Sequence, residues 1–305
     1  MRILVATDFS PRSQRAVRRA GILAGQTGGD VILMHVVDGA GARQVARDVR
    51  EARRMTLEQA AVVPELVRVE CRSLVVAGGL PDAVLDAATA RQVDMIVVGS
   101  GHGKAAQGPG RTVRGLIRAA PCPVLVVNRS VAGPYARITV PVDLSDASAR
   151  ALRSVASLGL ANRAHVMVLH AFEVLGKPKL SGFGIPRAQI DEYVEGWRSS
   201  FAEAVEAFLE AEGAAGRGWA RQLVEGRPDE VISSLAARKC SELLVMGTRA
   251  RTGFRRALLG SVTEAVLGAG AADVLVVPPP RLGSGRPGLP SSVGAERPAL
   301  RVVTA

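Results

Sequence analysis

Arg2-Ile3-Leu4-Val5-Ala6-Thr7-Asp8-Phe9-Ser10 lies over Arg137-Ile138-Thr139-Val140-Pro141-Val142-Asp143-Leu144-Ser145, 135 positions further on. Reading outward from that pair, Arg15-Ala16 matches Arg150-Ala151 and His35 matches His170 at the same offset. Gly79-Leu80-Pro81-Asp82 then matches Gly226-Arg227-Pro228-Asp229, and Met95-Ile96-Val97-Val98-Gly99 matches Leu243-Leu244-Val245-Met246-Gly247. Val124-Leu125-Val126-Val127 matches Val274-Leu275-Val276-Val277. Repeat units of solenoids run about 20–50 residues, so a period this long duplicates a whole domain.

Each copy alternates short β-branched runs with longer helical patterns. Strands are expected in the first copy over 2–7, 31–37, 67–76, 94–99 and 124–127. Helical periods fill Arg12–Gln26, Ala42–Ala61, Pro81–Arg91 and Arg111–Ala120. Uninterrupted apolar strands such as Met95–Val98 belong to a sheet buried on both faces. A βαβ order with right-handed crossovers gives an α/β, doubly wound parallel sheet of five strands, twice over. The second copy has a longer insertion after its second strand. It opens Gly176-Lys177-Pro178-Lys179-Leu180-Ser181-Gly182 and leads into a helix near Arg187–Glu212. The expected division is a domain over 1–130, a second over 136–278 and a disordered Pro/Gly-rich tail over 279–305.

Composition narrows the function classes. The chain has 305 residues, 48% hydrophobic and 22% charged, which reads as globular. No apolar run approaches the roughly 20 residues of a membrane-spanning helix. Asp8 cuts the first apolar stretch too short for a signal peptide. Three scattered cysteines with no CxxC exclude a disulfide scaffold and fit a reducing cytoplasm. The net charge of +11 is concentrated in the first copy and the tail. The stripe Arg43, Arg47, Arg50, Arg54 follows one helix face, but Asp48 and Glu51 interleave it and aromatics are 3%. A solvated face is the better reading there, and nucleic acid is an unlikely partner.

Ligands on open α/β sheets bind at the carboxyl ends of the strands. That edge holds Asp8 or Asp143, the residues after His35 or His170, and the loops after Gly99 or Gly247. In the second copy Gly260-Ser261 opens a predicted helix, whose N–H groups suit a phosphate. A plainer reading competes: Ser261-x-x-Glu264 has the form of a capping box. Asp143-Leu144-Ser145-Asp146 likewise has the form of a turn and N-cap. His35 and His170 read as histidines packed at the sheet end. Neither has a second histidine at ligand spacing, so no metal is expected. No nucleophile–base or paired-carboxylate set assembles, so no catalytic residue is named.

The combination resembles the universal stress protein family, in two tandem domains over about 1–277. The likeness rests on the strand followed by Asp-x-Ser, the strand ending Met-His or Leu-His, and the Gly-x-Pro before the third helix. It rests also on the glycine loop and on Pro121-Cys122-Pro123-Val124-Leu125-Val126-Val127. The resemblance implies an adenine nucleotide alpha hydrolase-like sheet, strand order 3-2-1-4-5, with the two last strands paired into an intramolecular pseudo-dimer. A further homodimer is open. ATP-binding members carry Gly-x2-Gly-x9-Gly-(Ser/Thr), which Gly247, Ala250, Gly260 and Ser261 nearly reproduce. The implied site for ATP, with Mg2+, is Pro141, Val142, Asp143, Ala171, Met246, Gly247, Arg249, Ala250, Gly260, Ser261, Val262 and Thr263. Ala250 departs from the pattern by one methyl, which weakens rather than removes binding.

The first copy is two residues short between Gly99 and Gly110, and Arg111 replaces the hydroxyl, filling the phosphate position with its own charge. No ATP in the family's manner is expected there. The implied role is stress-response regulation by an adenine nucleotide, with an unknown protein partner, and at most a slow ATPase activity. The alternative is an ATP-independent dimerising scaffold with both pockets degenerate.

Overall fold

The computed structural model of the chain describes residues 1–38, 42–101, 109–174, 176–238, 241–250 and 257–280. From residue 281 the expected tail lies outside the described residues, as does Lys104 of the first glycine loop.

The first half runs β1 (Arg2–Ala6), α1 (Pro11–Thr27), β2 (Asp30–Val37), α2 (Ala42–Val62), α3 (Pro64–Val67) and β3 (Glu70–Ala77). It continues through α4 (Asp82–Ala90), β4 (Met95–Gly99), α5 (Arg111–Ala119) and β5 (Val124–Val127). The second half repeats this with β6 (Arg137–Pro141), α6 (Asp146–Ser157), β7 (His165–Phe172), α7 (Lys177–Gly182), α8 (Arg187–Ala211) and β8 (Ala220–Glu225). It closes with α9 (Pro228–Ala237), β9 (Leu243–Gly247), the two-residue strands β10 (Arg249–Ala250) and β11 (Ala257–Leu258), α10 (Ser261–Ala269) and β12 (Asp273–Val277). Two elements depart from expectation. Pro64 opens the short helix α3, which delays the third strand to Glu70, and the insertion forms a helix of its own at Lys177–Gly182.

The strand order is β3-β2-β1-β4-β5-β12-β9-β6-β7-β8. Each half therefore has the 3-2-1-4-5 order, parallel within itself. The halves join where β12 meets β5 antiparallel, with Leu275 opposite Leu125 and Val276 opposite Val124. One ten-stranded sheet results, with edge strands β3 and β8 carrying exposed Glu70, Arg72, Arg221 and Gln222. Charge and polarity on an edge discourage pairing with another chain.

Alternation along each strand feeds two cores, one per face. Ile3, Val5 and Leu33 pack under α1 in a cluster that runs on through Leu125 and Leu275 to Val140 and Leu152. Leu4, Ile32 and Ile96 pack on the other face in a cluster that runs through Val124 and Val274 to Leu244 and Val266. Both cores thus cross the junction without a break.

The segment between the halves is held by a buried carboxylate. Asp273, fully buried, accepts from the backbone N–H groups of Asn128 and Arg129, both at 2.9 Å, and from Tyr135 Oη at 2.6 Å. Arg19, 4% exposed, brings Nε to 3.6 Å from the same carboxylate. Its guanidinium lies 3.8 Å from the centroid of the Tyr135 ring and donates to the Gly133 carbonyl at 2.7 Å. Burial, with the Asp273 charge beside it, pushes the Tyr135 hydroxyl well above its ordinary pKa, so it stays a donor.

Candidate functional site

At the carboxyl ends of β6, β7 and β9 lies a cavity of about 460 Å³. This is within the roughly 300–1,000 Å³ usual for small-molecule sites. It is lined by Pro141, Val142, Asp143, Ala171, Met246, Gly247, Arg249, Gly260, Ser261, Val262 and Thr263. Ala250 pairs through its backbone with Ala257 in the β10–β11 ribbon, and its side chain lies outside the described residues. Ala147, Ser148, Leu169, Pro228, Ile232, Thr248 and Leu259 line the cavity without having been foreseen. Pro228 had a visible signal, the repeated Gly-x-Pro-Asp. The others are ordinary apolar or hydroxyl residues that only the fold brings together.

Local geometry explains how the chain reaches this edge. After β6, Leu144 takes a left-handed turn, φ 58°, and Ser145 caps α6 in a reciprocal box with Ser148. That turn leaves Asp143 outside the helix. Its Oδ1 accepts from the Ser145 N–H at 3.2 Å and from the Ser145 hydroxyl, and its Oδ2 is ion-paired with Arg249. Burial pushes the Asp143 carboxyl up, but the bonds from Ser145 and Arg249, with the Arg249 charge, outweigh it and hold the group below its ordinary value.

Gly247 ends β9 against the start of α6, where a Cβ would overlap the Ala147 carbonyl oxygen. Its glycine is therefore required by helix packing whether or not a ligand binds. Gly260 is different. Its φ is −71°, open to any residue, and a Cβ there would meet nothing within 4 Å. The missing side chain leaves room in the cavity rather than relieving a clash. The capping-box reading of Ser261 and Glu264 does not hold. Ser261 is the first residue of α10, the N-cap is Gly260, and no side chain caps the helix. Glu264 instead lies 4.0 Å from Arg114 of the first half. The first-turn N–H groups, which no helix satisfies internally, therefore open onto the cavity at Ser261, Val262 and Thr263.

His170 is buried and bonds the Val142 carbonyl through Nδ1 at 2.9 Å, as His35 bonds Thr7 at 2.8 Å. Both are packed at the sheet end. Among the described residues no group of three or more His, Cys, Asp or Glu side chains converges to hold a metal. No helix of the described residues is long and apolar enough to cross a membrane.

The universal stress protein family model matches residues 1–128 and again 134–278. The chain belongs to the universal stress protein family. Over 150 residues it is 31% identical to a universal stress protein of Methanocaldococcus jannaschii, covering 48% of this chain and 84% of that one. Among solved structures, a universal stress protein from Archaeoglobus fulgidus superimposes with a TM-score of 0.64 at 17% identity, over 91% of this chain and 98% of its own. A Pseudomonas aeruginosa protein described as functionally unknown gives 0.60 at 22% identity, over 91% and 92%. Likenesses at these identities speak to the tandem fold.

The first universal stress half has a smaller cavity at the matching place, about 260 Å³, between Asp8, His35, Gly99, Gly101 and Thr112. Phe9, φ 61°, makes the same left-handed turn as Leu144 and stacks on His35 at 4.6 Å between centroids. Arg111, expected to fill the phosphate position, is exposed and does not line the cavity. Arg12 lines it instead, with Nη1 donating to the Gly101 carbonyl at 2.6 Å.

Proposed function

We propose that the second half binds an adenine nucleotide, ATP with Mg2+ carried on its phosphates, and that the protein is a nucleotide-responsive regulator of the stress response. The observation that carries this reading is the uncapped start of α10 within a cavity of ordinary ligand size. A helix start of this kind offers N–H donors and a positive dipole end to phosphate oxygens. Ser261 and Thr263 add hydroxyls, and the space at Gly260 admits close approach. Asp143, held ionised, would accept from the ribose or base at the opposite end. Mg2+ would arrive on the phosphates and keep several waters, since that ion needs few protein ligands. In use, the ligand's contacts with Gly247, Arg249 and Gly260 would alter a surface read by a protein partner in the cytoplasm.

One observation favours a second reading, an ATP-independent scaffold. Asp143 and Arg249, from opposite rims of the cavity, are already paired with each other. Titration calorimetry separates the two. ATP should bind the wild type with about one site, and Asp143→Ala should weaken it about tenfold, the loss of one charge-assisted hydrogen bond. A wild-type protein that ignores millimolar ATP would leave the scaffold reading standing.

A further inference from the structure

Among the described residues, the large apolar side chains left exposed fall into two groups, apart from Leu80. Leu57, Val62 and Val67 lie on α2 and α3, and Phe183, Ile185 and Tyr193 lie at the corner between α7 and α8. The second group is aromatic. The insertion and α8 hold Phe183, Tyr193, Trp197, Phe201 and Phe208, half of the chain's ten Phe, Tyr and Trp residues. On the inner side Trp197 stacks on Phe201 at 5.7 Å between centroids, and Phe201 lies 5.1 Å from Phe172, so β7 anchors the corner. On the outer side Phe183 is 80% exposed, and Tyr193, edge-on to Trp197, is 41% exposed. Exposed aromatic side chains on a packed base mark an interaction surface.

Charge separates the two groups. The α2 group shares its helix with exposed Arg43, Arg47, Arg50 and Arg54. Helix α8 carries six carboxylates against two arginines, and exposed Asp191, Glu192 and Glu195 surround Tyr193 along it. The corner thus calls for an occupant that is both apolar and basic. Residues 281–305 carry four arginines against one glutamate, and Arg297-Pro298-Ala299-Leu300-Arg301-Val302-Val303 sets two of them among three large apolar residues.

Topology brings the two within reach. The chain leaves β12 at the carboxyl-end edge, the same edge from which β7 leads into α7. Three strand spacings separate β12 from β7, roughly 15 Å at about 4.8 Å each. From Pro280 to Arg297 the backbone spans up to about 55 Å, at about 3.3 Å per residue. A tethered segment meets its site at an effective concentration of the order of mM, so weak surface contacts suffice. The basic face of α2 packs by β2 and β3, at the other end of the sheet, and would reach the corner only from a second molecule, without that advantage.

We propose that the α7–α8 corner is a docking surface for the chain's own residues 297–303, with Leu300 and Val302 against Phe183 and Tyr193, and with Arg297 and Arg301 beside Asp191 and Glu192. Docking of this kind does not depend on a nucleotide in the second cavity.

Acrylamide quenching of tryptophan fluorescence in the full chain reads the corner through Trp197, because Trp219 is 8% exposed. Leu300→Asp with Val302→Asp should raise quenching about twofold at every protein concentration, as the tethered segment lets go, with the far-UV circular dichroism unchanged. Asp191→Arg with Glu192→Arg should raise it likewise, and adding Arg297→Glu with Arg301→Glu should bring it back toward wild type. Equal quenching in wild type and in Leu300→Asp with Val302→Asp would overturn the proposal. So would charge reversals that fail to restore each other. A wild type whose quenching falls and whose sedimentation mass doubles as concentration rises would place a second copy on the corner, and would overturn it too.

Discussion

Gly247 shows how a residue can match a ligand motif and still have a structural cause. A Cβ at this position would overlap the Ala147 carbonyl, so Gly247→Ala should destabilise the protein by about 2 kcal/mol or more through overpacking and backbone shift. Denaturant unfolding without nucleotide measures this. Gly260→Ala has open space and an ordinary φ, and should cost well under 1 kcal/mol while weakening ATP. Asp143 gives a pH signature. Its folded pKa is below the ordinary value, so its contribution is present above the unfolded carboxylate range, about pH 4, and is lost as pH falls through the folded value. Stability measured from pH 6 downward should therefore fall more steeply in wild type than in Asp143→Asn. Equal slopes would show that the Ser145 and Arg249 contacts are spent on solvent-screened partners.

Among the elements, α10 separates helix capping from ligand binding. Ser261 sits inside the helix and caps nothing. Ser261→Ala should therefore change stability by less than about 0.5 kcal/mol, yet weaken ATP severalfold through one lost hydroxyl contact. A drop of about 1 kcal/mol or more without nucleotide would restore a capping role. Helix α1 behaves in the opposite way. Ser10 accepts from the Ser13 N–H at 3.3 Å, Pro11 starts the helix and left-handed Gly28 ends it. These signals sit in adjacent residues, which is why the expected Arg12–Gln26 differs from the helix by one residue at each end. Strand β3 was less legible because Pro64 starts a turn of helix that periodicity does not announce.

At the scale of the molecule, the β5–β12 pairing and the Asp273 cluster make one folding unit of two copies. Asp273→Ala would leave Arg19 buried beside three unpartnered donors and should cost about 3–5 kcal/mol. Both tryptophans, Trp197 and Trp219, lie in the second half, whereas far-UV circular dichroism reports both halves. Continuous cores predict that the two signals melt together in the wild type. In Leu125→Asp, which places a charge opposite Leu275, they should separate.

The sequence by itself determined the duplication, the α/β alternation and which residues stand at the carboxyl-end edge, where open α/β sheets bind ligands. These rest on local information, apolar runs of strand length and residues repeated at a fixed offset. The tertiary structure decided matters that depend on residues far apart in the chain. Asp273 meets Arg19 across 254 positions, and nothing in either neighbourhood marks a buried pair. Ser261 has the spacing of a capping box, but the helix begins one residue too early for it. Arg12, in the first turn of α1, lines a cavity because Gly99 draws the end of β4 against that helix. A motif records spacing along the chain. Which atoms share a cavity is settled by the packing of helices on the sheet.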